Sequence, residues 1–196
     1  MAIGDIDPQS GCRLPFPKRE DLSEEGKKIY DYHVDPKAGS LAGLKGPGGV
    51  RLHSPKLSEY LRPVGRYLRH EAGLDPKIRE IAIMTTAREM NAKFEWAAHE
   101  TEGRHVGVSE TAIDVIKHRK PVDGLPETEA VVIALGREAL GQHHVSSQTY
   151  AKAFNIFGAR KLVDLVSLMG NYAATATILA VFDNQPPPDG PKLPMP

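Results

Sequence analysis

The chain has very little cysteine. Cys12 is the only one in 196 residues, so an internal disulfide and a Cys-x-x-Cys redox pair are both excluded. Cys12 falls in a polar N-terminal arm, away from the apolar patterns. Charge of one sign is not in excess either. Acidic and basic residues number 25 each and the formal net charge is zero, which leaves no basic footprint for nucleic acid. The short cluster Lys117–Lys120 reads as a helix C-terminus that favours cations. No basic segment followed by an apolar run opens the chain, so no secretory signal is expected. No apolar run reaches the roughly 18 residues of a membrane span. The nearest, Leu162 to Phe182, is interrupted by Asp164, Asn171 and several Ser and Thr. A cytoplasmic protein that binds neither nucleic acid nor membrane is the expectation.

Motifs are missing as well. The eight histidines include no His-Glu-x-x-His and no paired Glu-x-x-His. His99 and His105 are six apart and face different sides of a helix, and His143 and His144 face apart. No metal and no cofactor is expected. Gly-x-Ser-x-Gly is absent too. Ala38 to Val50 is dense in glycine, but it lacks the Walker pattern and no strand precedes it, so it reads as a plain loop rather than a phosphate cradle.

No strand-length segment alternates apolar with polar, whereas helical spacing recurs throughout. An all-α fold of about eight helices is predicted, as a single domain over 1–196 with an N-terminal arm, 1–20, and a Pro-rich tail, 185–196. Ser23 caps a helix that Pro36 ends. Ser54-Pro55 starts a second helix, carrying Leu57, Tyr60, Leu61, Val64, Tyr67 and Leu68, with a kink near Pro63 and Gly65. Asp75-Pro76 opens a third, to about Met90. The next runs from about Ala92 to His105, and Ser109 caps the one after it. Glu127 to Leu140 is helical. A further helix capped at Ser146 or Ser147 turns Tyr150, Ala153 and Phe154 inward and breaks at Gly158. Ala159 to Phe182 is apolar nearly all round, which predicts burial, partly against another subunit.

Chemistry is concentrated in Lys93–Gly107. Glu95 and His99 are four apart, so a helix stacks them on one face. A carboxylate beside an imidazole holds one tautomer, raises its pKa and can move protons near neutral pH. The same spacing also serves exposed surface pairs. Phe94, Trp96, Ala97 and Ala98 around it argue against a fully solvated face. Glu80 lies in the preceding helix, and an antiparallel pairing would bring it to the Glu95–His99 ridge. A structural ion pair of Glu80 with Arg79 or Arg88 is the competing reading.

Three stretches carry a resemblance: Glu80-Ile-Ala-Ile-Met, Phe94-Glu95-Trp96-Ala97-Ala98-His99 and Gly107-Val108-Ser109, with Leu52-His53-Ser54-Pro55-Lys56-Leu57 upstream. Together they resemble the carboxymuconolactone decarboxylase family. In the alkylhydroperoxidase D-like branch of that superfamily a Cys-x-x-Cys precedes the histidine. Here Ala92 and Glu95 occupy those places, so the resemblance implies no peroxidase or disulfide-reductase activity. It is the decarboxylase-like branch, with Glu-Trp-x-x-His, that the chain matches. The resemblance implies an all-α, alkylhydroperoxidase D-like bundle, assembled as a homo-oligomer, often a trimer or hexamer. It implies cofactor-free decarboxylation, or related lyase or isomerase chemistry, on a small carboxylated lactone of aromatic catabolism. A non-catalytic, oligomeric small-molecule-binding protein of the same fold is the alternative. On this reading His99 donates or accepts the proton, Glu95 orients it and Glu80 is a second relay. Trp96 walls the pocket, and Arg51, His53 and Arg88 bind the substrate anion.

Overall fold

A computed structural model describes residues 5–37 and 41–195. Among them there are only helices and connections. Their order is α1 (Glu24–Val34), α2 (Pro47–Arg51), α3 (Pro55–Arg66), α4 (Pro76–Glu89), α5 (Lys93–His105), α6 (Glu110–Lys117), α7 (Glu127–Gly136) and α8 (Ser147–Val181). The first four residues of the expected arm, Ala38–Ser40 of the expected loop and Pro196 of the tail lie outside the described residues.

Local chemistry sets the boundaries. Ser23, Asp75, Ser109 and Ser146 each accept a hydrogen bond from a backbone N–H in the first turn that follows, satisfying donors a helix leaves orphaned. Pro55 and Pro76 stand in the first turns of α3 and α4, where the missing N–H costs nothing. Gly73 and Gly107 stop helices at φ 72° and 87°, angles open to glycine. The break expected at Gly158 is present: its φ of 67° and ψ of 172° divide α8 into two helical stretches.

Helix α4 is the hub. Every residue from Ile78 to Arg88 is buried, and α4 packs against α5, α6, α7 and α8. Ile81, Ile83 and Met84 meet Trp96, Ile116, Ile133, Leu165 and Leu168 in the core. Helix α8 is long and apolar enough by composition to cross a membrane, but half of its most apolar window is buried inside the fold.

Four features correct or extend the sequence reading. The Gly-rich stretch is not all loop, because Pro47–Arg51 is helical. Its glycines allow close approach: a Cβ on Gly49 would lie 1.9 Å from the Leu44 carbonyl oxygen. Cys12 is buried, with its thiol donating to the Leu14 carbonyl oxygen at 3.2 Å. Tyr150 and Phe154 point outward, leaving Ala153 as the core residue of that turn. Helix α3 and the π-helical turn that continues it, Tyr67–Glu71, turn an apolar stripe of Leu57, Tyr60, Val64 and Tyr67 to the outside. The opposite face carries Arg62, Arg66 and Arg69 and walls a cavity.

The arm and the tail lie together. Arg13 N–H donates to the Phe182 carbonyl and Gln185 N–H to the Gly11 carbonyl, both at 2.8 Å. Further along, the tail inserts Leu193 into the core, and its Pro194 carbonyl accepts from Arg88.

Candidate active site

Helices α4 and α5 are joined by a tight turn in which Asn91 adopts φ 51°. The pair brings Glu80 beside His99. His99 Nδ1 lies 2.7 Å from Glu80 Oε2. On the other side of the ring, Nε2 lies 3.4 Å from Glu95 Oε2. All three side chains are buried. Arg79 Nε donates to Glu80 Oε1 at 2.9 Å, and Arg79 Nη1 donates to the Arg69 carbonyl. Tyr172 of α8 closes on the imidazole edge-on, with centroids 5.0 Å apart at 88°.

Burial works against charge on this imidazole, but the hydrogen bonds and charges of Glu80 and Glu95 outweigh it and raise His99 to about 9. Burial likewise pushes Glu80 up, yet His99 and Arg79 hold it below the ordinary carboxylate value. At neutral pH the resting site is therefore an imidazolium between carboxylates. Burial raises Tyr172 above its ordinary value, with Glu95 and Glu80 adding to the rise. Its phenol stays protonated beside the ring.

His99 and Glu95 open onto a cavity of about 680 Å³. Glu80 does not line it and sits behind the ring. Both expected readings of Glu80 therefore hold at once, since it pairs with Arg79 and with His99. The contacts differ from the sequence reading, which has Glu95 as the partner that orients the ring. Glu80 makes the short, buried bond that orients the ring, while Glu95 makes the longer contact and faces the cavity.

The cavity's other walls are cationic. Arg51, at the end of α2, donates from Nη2 to Thr175 Oγ1 of α8 at 2.7 Å. Its Nε is buried and has no partner, and the same holds for Arg69 Nε. Both guanidiniums line the cavity, and an anionic ligand there would meet their charge. Burial lowers Arg51 from its ordinary value, and Glu95 opposes that shift. Arg62 stacks on Tyr32, 4.4 Å from the ring centroid.

Three sequence expectations fail on placement. Trp96 does not wall the cavity. It is fully buried, and its indole N–H donates to Glu100, which also pairs with Arg104 at 2.8 Å and Lys117 at 3.1 Å. Phe94, on another side of α5, takes the wall position. His53 lies outside the cavity and contacts the Pro15 carbonyl at 3.0 Å. Arg88 is committed to Pro194 and Asn91. Of the expected anion-binding residues, only Arg51 lines the cavity. Arg69 and Tyr172 were not anticipated. A signal for Arg69 was present: Arg62, Arg66 and Arg69 recur at a 4–3 spacing, which is one helix face.

Residues 55–137 match the sequence model of the carboxymuconolactone decarboxylase family. Over that segment the chain is similar to this family. The match spans α3 to α7 and so includes Glu80, Glu95, His99 and Arg69. Arg51, Tyr172 and Thr175 lie beyond the matched segment. Comparison with curated proteins returned no match.

Proposed function

We propose that this chain is a cofactor-independent acid–base enzyme. It decarboxylates a small carboxylated lactone or similar intermediate of aromatic catabolism, or performs closely related lyase or isomerase chemistry. The observation that carries the reading is the buried group of Glu80, His99 and Glu95, of which His99 and Glu95 open onto a cavity with cationic walls. What favours proton transfer over binding alone is a buried imidazolium that lines the ligand space together with Glu95.

In the proposed reaction a carboxylate that remains in the product pairs with Arg51 and Arg69. The carbon–carbon bond to the departing carboxylate breaks, and its electron pair stays on the ring carbon. His99 Nε2–H delivers a proton to that carbon, and carbon dioxide leaves. Glu80 holds Nδ1–H throughout, so the ring keeps its orientation as its charge changes. Glu95 stabilises the imidazolium before transfer. Solvent entering the cavity returns the proton. General acid catalysis of this kind contributes about 10²–10⁴-fold.

The test is carbon dioxide release from γ-carboxymuconolactone and from a panel of small lactone acids. His99→Gln should lower turnover by at least about 10²-fold. Unchanged turnover in that variant would sink the proposal. Saturable binding of acids without turnover of any panel member would replace it with a binding role. A peroxidase role lacks a reactive group, because Cys12 is buried in the arm and Ala92 and Glu95 stand where the dithiol would be.

The proposal extends to assembly as a cytoplasmic homo-oligomer, a trimer or hexamer. Tyr60 is 63% exposed and Val163 of α8 is 64% exposed. The π-helical turn that follows α3, Tyr67–Glu71, meets α8, since Tyr67 donates to Asp164 at 3.2 Å. Outward apolar groups on neighbouring helices fit a second copy of the chain better than water. Light scattering should report a multiple of 21.4 kDa, reduced by the double substitution Tyr60→Glu and Val163→Glu. A monomeric wild type would overturn this part.

A further inference from the structure

His33, on α1, lines the same cavity as His99 but lies outside the family-matched segment. Its position is fixed by the Gly-rich stretch. A Cβ on Gly48 would stand 2.2 Å from its Cε1, 2.5 Å from Nε2 and 2.7 Å from Nδ1. The imidazole therefore occupies the volume a side chain at 48 would need. A Cβ on Gly43 would lie 3.3 Å from the His33 carbonyl oxygen. Tyr32 packs edge-on against the ring, with centroids 5.4 Å apart. Gly48 and Tyr32 thus set one imidazole in the cavity wall, and Gly43 lies against its backbone. Arg51 belongs to the same short helix as Gly48, so the stretch places a guanidinium and an imidazole together.

The two groups differ in what they recognise. A guanidinium only donates and favours anions. Burial and the charges of Arg62 and Arg51 push His33 down to about 4, so its ring is neutral under ordinary conditions. A neutral imidazole has one N–H donor and one acceptor nitrogen. It suits a carbonyl or hydroxyl oxygen and gives a second carboxylate no charge to pair with.

We infer that His33 is a specificity-determining residue: it hydrogen-bonds a neutral carbonyl or hydroxyl oxygen on a ring acid whose carboxylate is held by Arg51 and Arg69. The inference rests on the proposed binding of a carboxylated ring compound. It adds that an oxygen on the ring is selected by a wall this chain builds outside the matched family segment.

The probes are 3-oxocyclopentane-1-carboxylate and cyclopentanecarboxylate, which differ by one carbonyl, titrated calorimetrically into the full chain. Wild type should bind the keto acid about tenfold more tightly, the scale of one net hydrogen bond. His33→Leu should remove that preference, leave cyclopentanecarboxylate affinity unchanged and keep the wild-type unfolding midpoint. His33→Gln should restore much of the preference. Gly48→Ala, which displaces the ring, should mimic His33→Leu. Equal binding of the two acids by wild type overturns the inference, as does a preference that survives in His33→Leu, or binding of neither acid. The carbon dioxide assay decides the lyase reading separately. A His33-dependent preference without turnover upholds this inference and sinks the lyase, and His99-dependent turnover without the preference does the reverse.

Discussion

His99 and Glu80 are 19 residues apart in sequence, on different helices, and meet at 2.7 Å with neither exposed to solvent. The contact ties α4 to α5 and raises His99 from its ordinary 6.5 to about 9, the carboxylates overcoming the burial that opposes them.

Because the acid form of His99 is the working form, kcat/KM should be flat through neutral pH and fall as pH passes about 9. Glu80→Gln removes the strongest support of the charged ring, so the falling limb should move toward neutral pH and kcat should drop. A pH–rate profile of the two proteins checks this. A limb that stays in place would mean that Glu80 does not set the state of His99.

The same pair should leave a trace in stability. The folded chain holds a proton on His99 between about 6.5 and 9 that the unfolded chain has released. The His99 contribution is therefore fully present below about 6.5 and is lost as pH rises through about 9. Urea midpoints measured from pH 6 to 10 should fall across that window, and the fall should be smaller in His99→Gln.

Arg69 should matter for affinity. Its guanidinium lines the cavity, so Arg69→Met removes a cationic donor group from the ligand space. Charge-assisted hydrogen bonds are worth about 1.5–3 kcal/mol, which predicts a loss of about tenfold to hundredfold in acid binding by calorimetry. Arg88→Met should leave acid binding unchanged, because Arg88 faces the tail. It should instead lower the unfolding midpoint by releasing the Pro194 carbonyl.

Two glycines give opposite expectations. Gly49→Ala would place a Cβ 1.9 Å from a backbone oxygen, and overpacking of that kind costs about 1–3 kcal/mol. Gly170 of α8 is exposed and meets nothing within 4 Å. Gly170→Ala should stabilise by about 0.4–1 kcal/mol through the unfolded chain. Thermal melts of the two variants should move in opposite directions.

What the sequence made legible depended on how local the cause was. The caps at Ser23, Asp75, Ser109 and Ser146 and the break at Gly158 follow from neighbouring residues, and they were readable. Glu95 and His99 were readable from helical spacing, and Glu80 from the expected pairing of successive helices. Which ring nitrogen meets which carboxylate is a tertiary fact, and so the shorter contact falls to Glu80 and the longer one to Glu95. Trp96 was misplaced because a helix adjacent to a site has several faces, and this one meets Glu100. Helix α2 read as loop because glycine signals conformational freedom, whereas Gly48 and Gly49 are there for close packing. Helix α3 was read from its apolar stripe, while its arginine face does the inward work.

The buried group of Arg79, Glu80, Glu95 and His99 contains two cations and two anions, so in its resting form it is electrically neutral. In the proposed reaction the substrate brings one negative charge at the carboxylate to be lost. When carbon dioxide departs and His99 gives up its proton, that charge has passed from ligand to protein. The product then shares the cavity with an unbalanced negative centre, one that a retained carboxylate would be repelled by. Departure of the product and return of a proton from solvent are thereby linked, and each turnover resets through the charge it leaves behind.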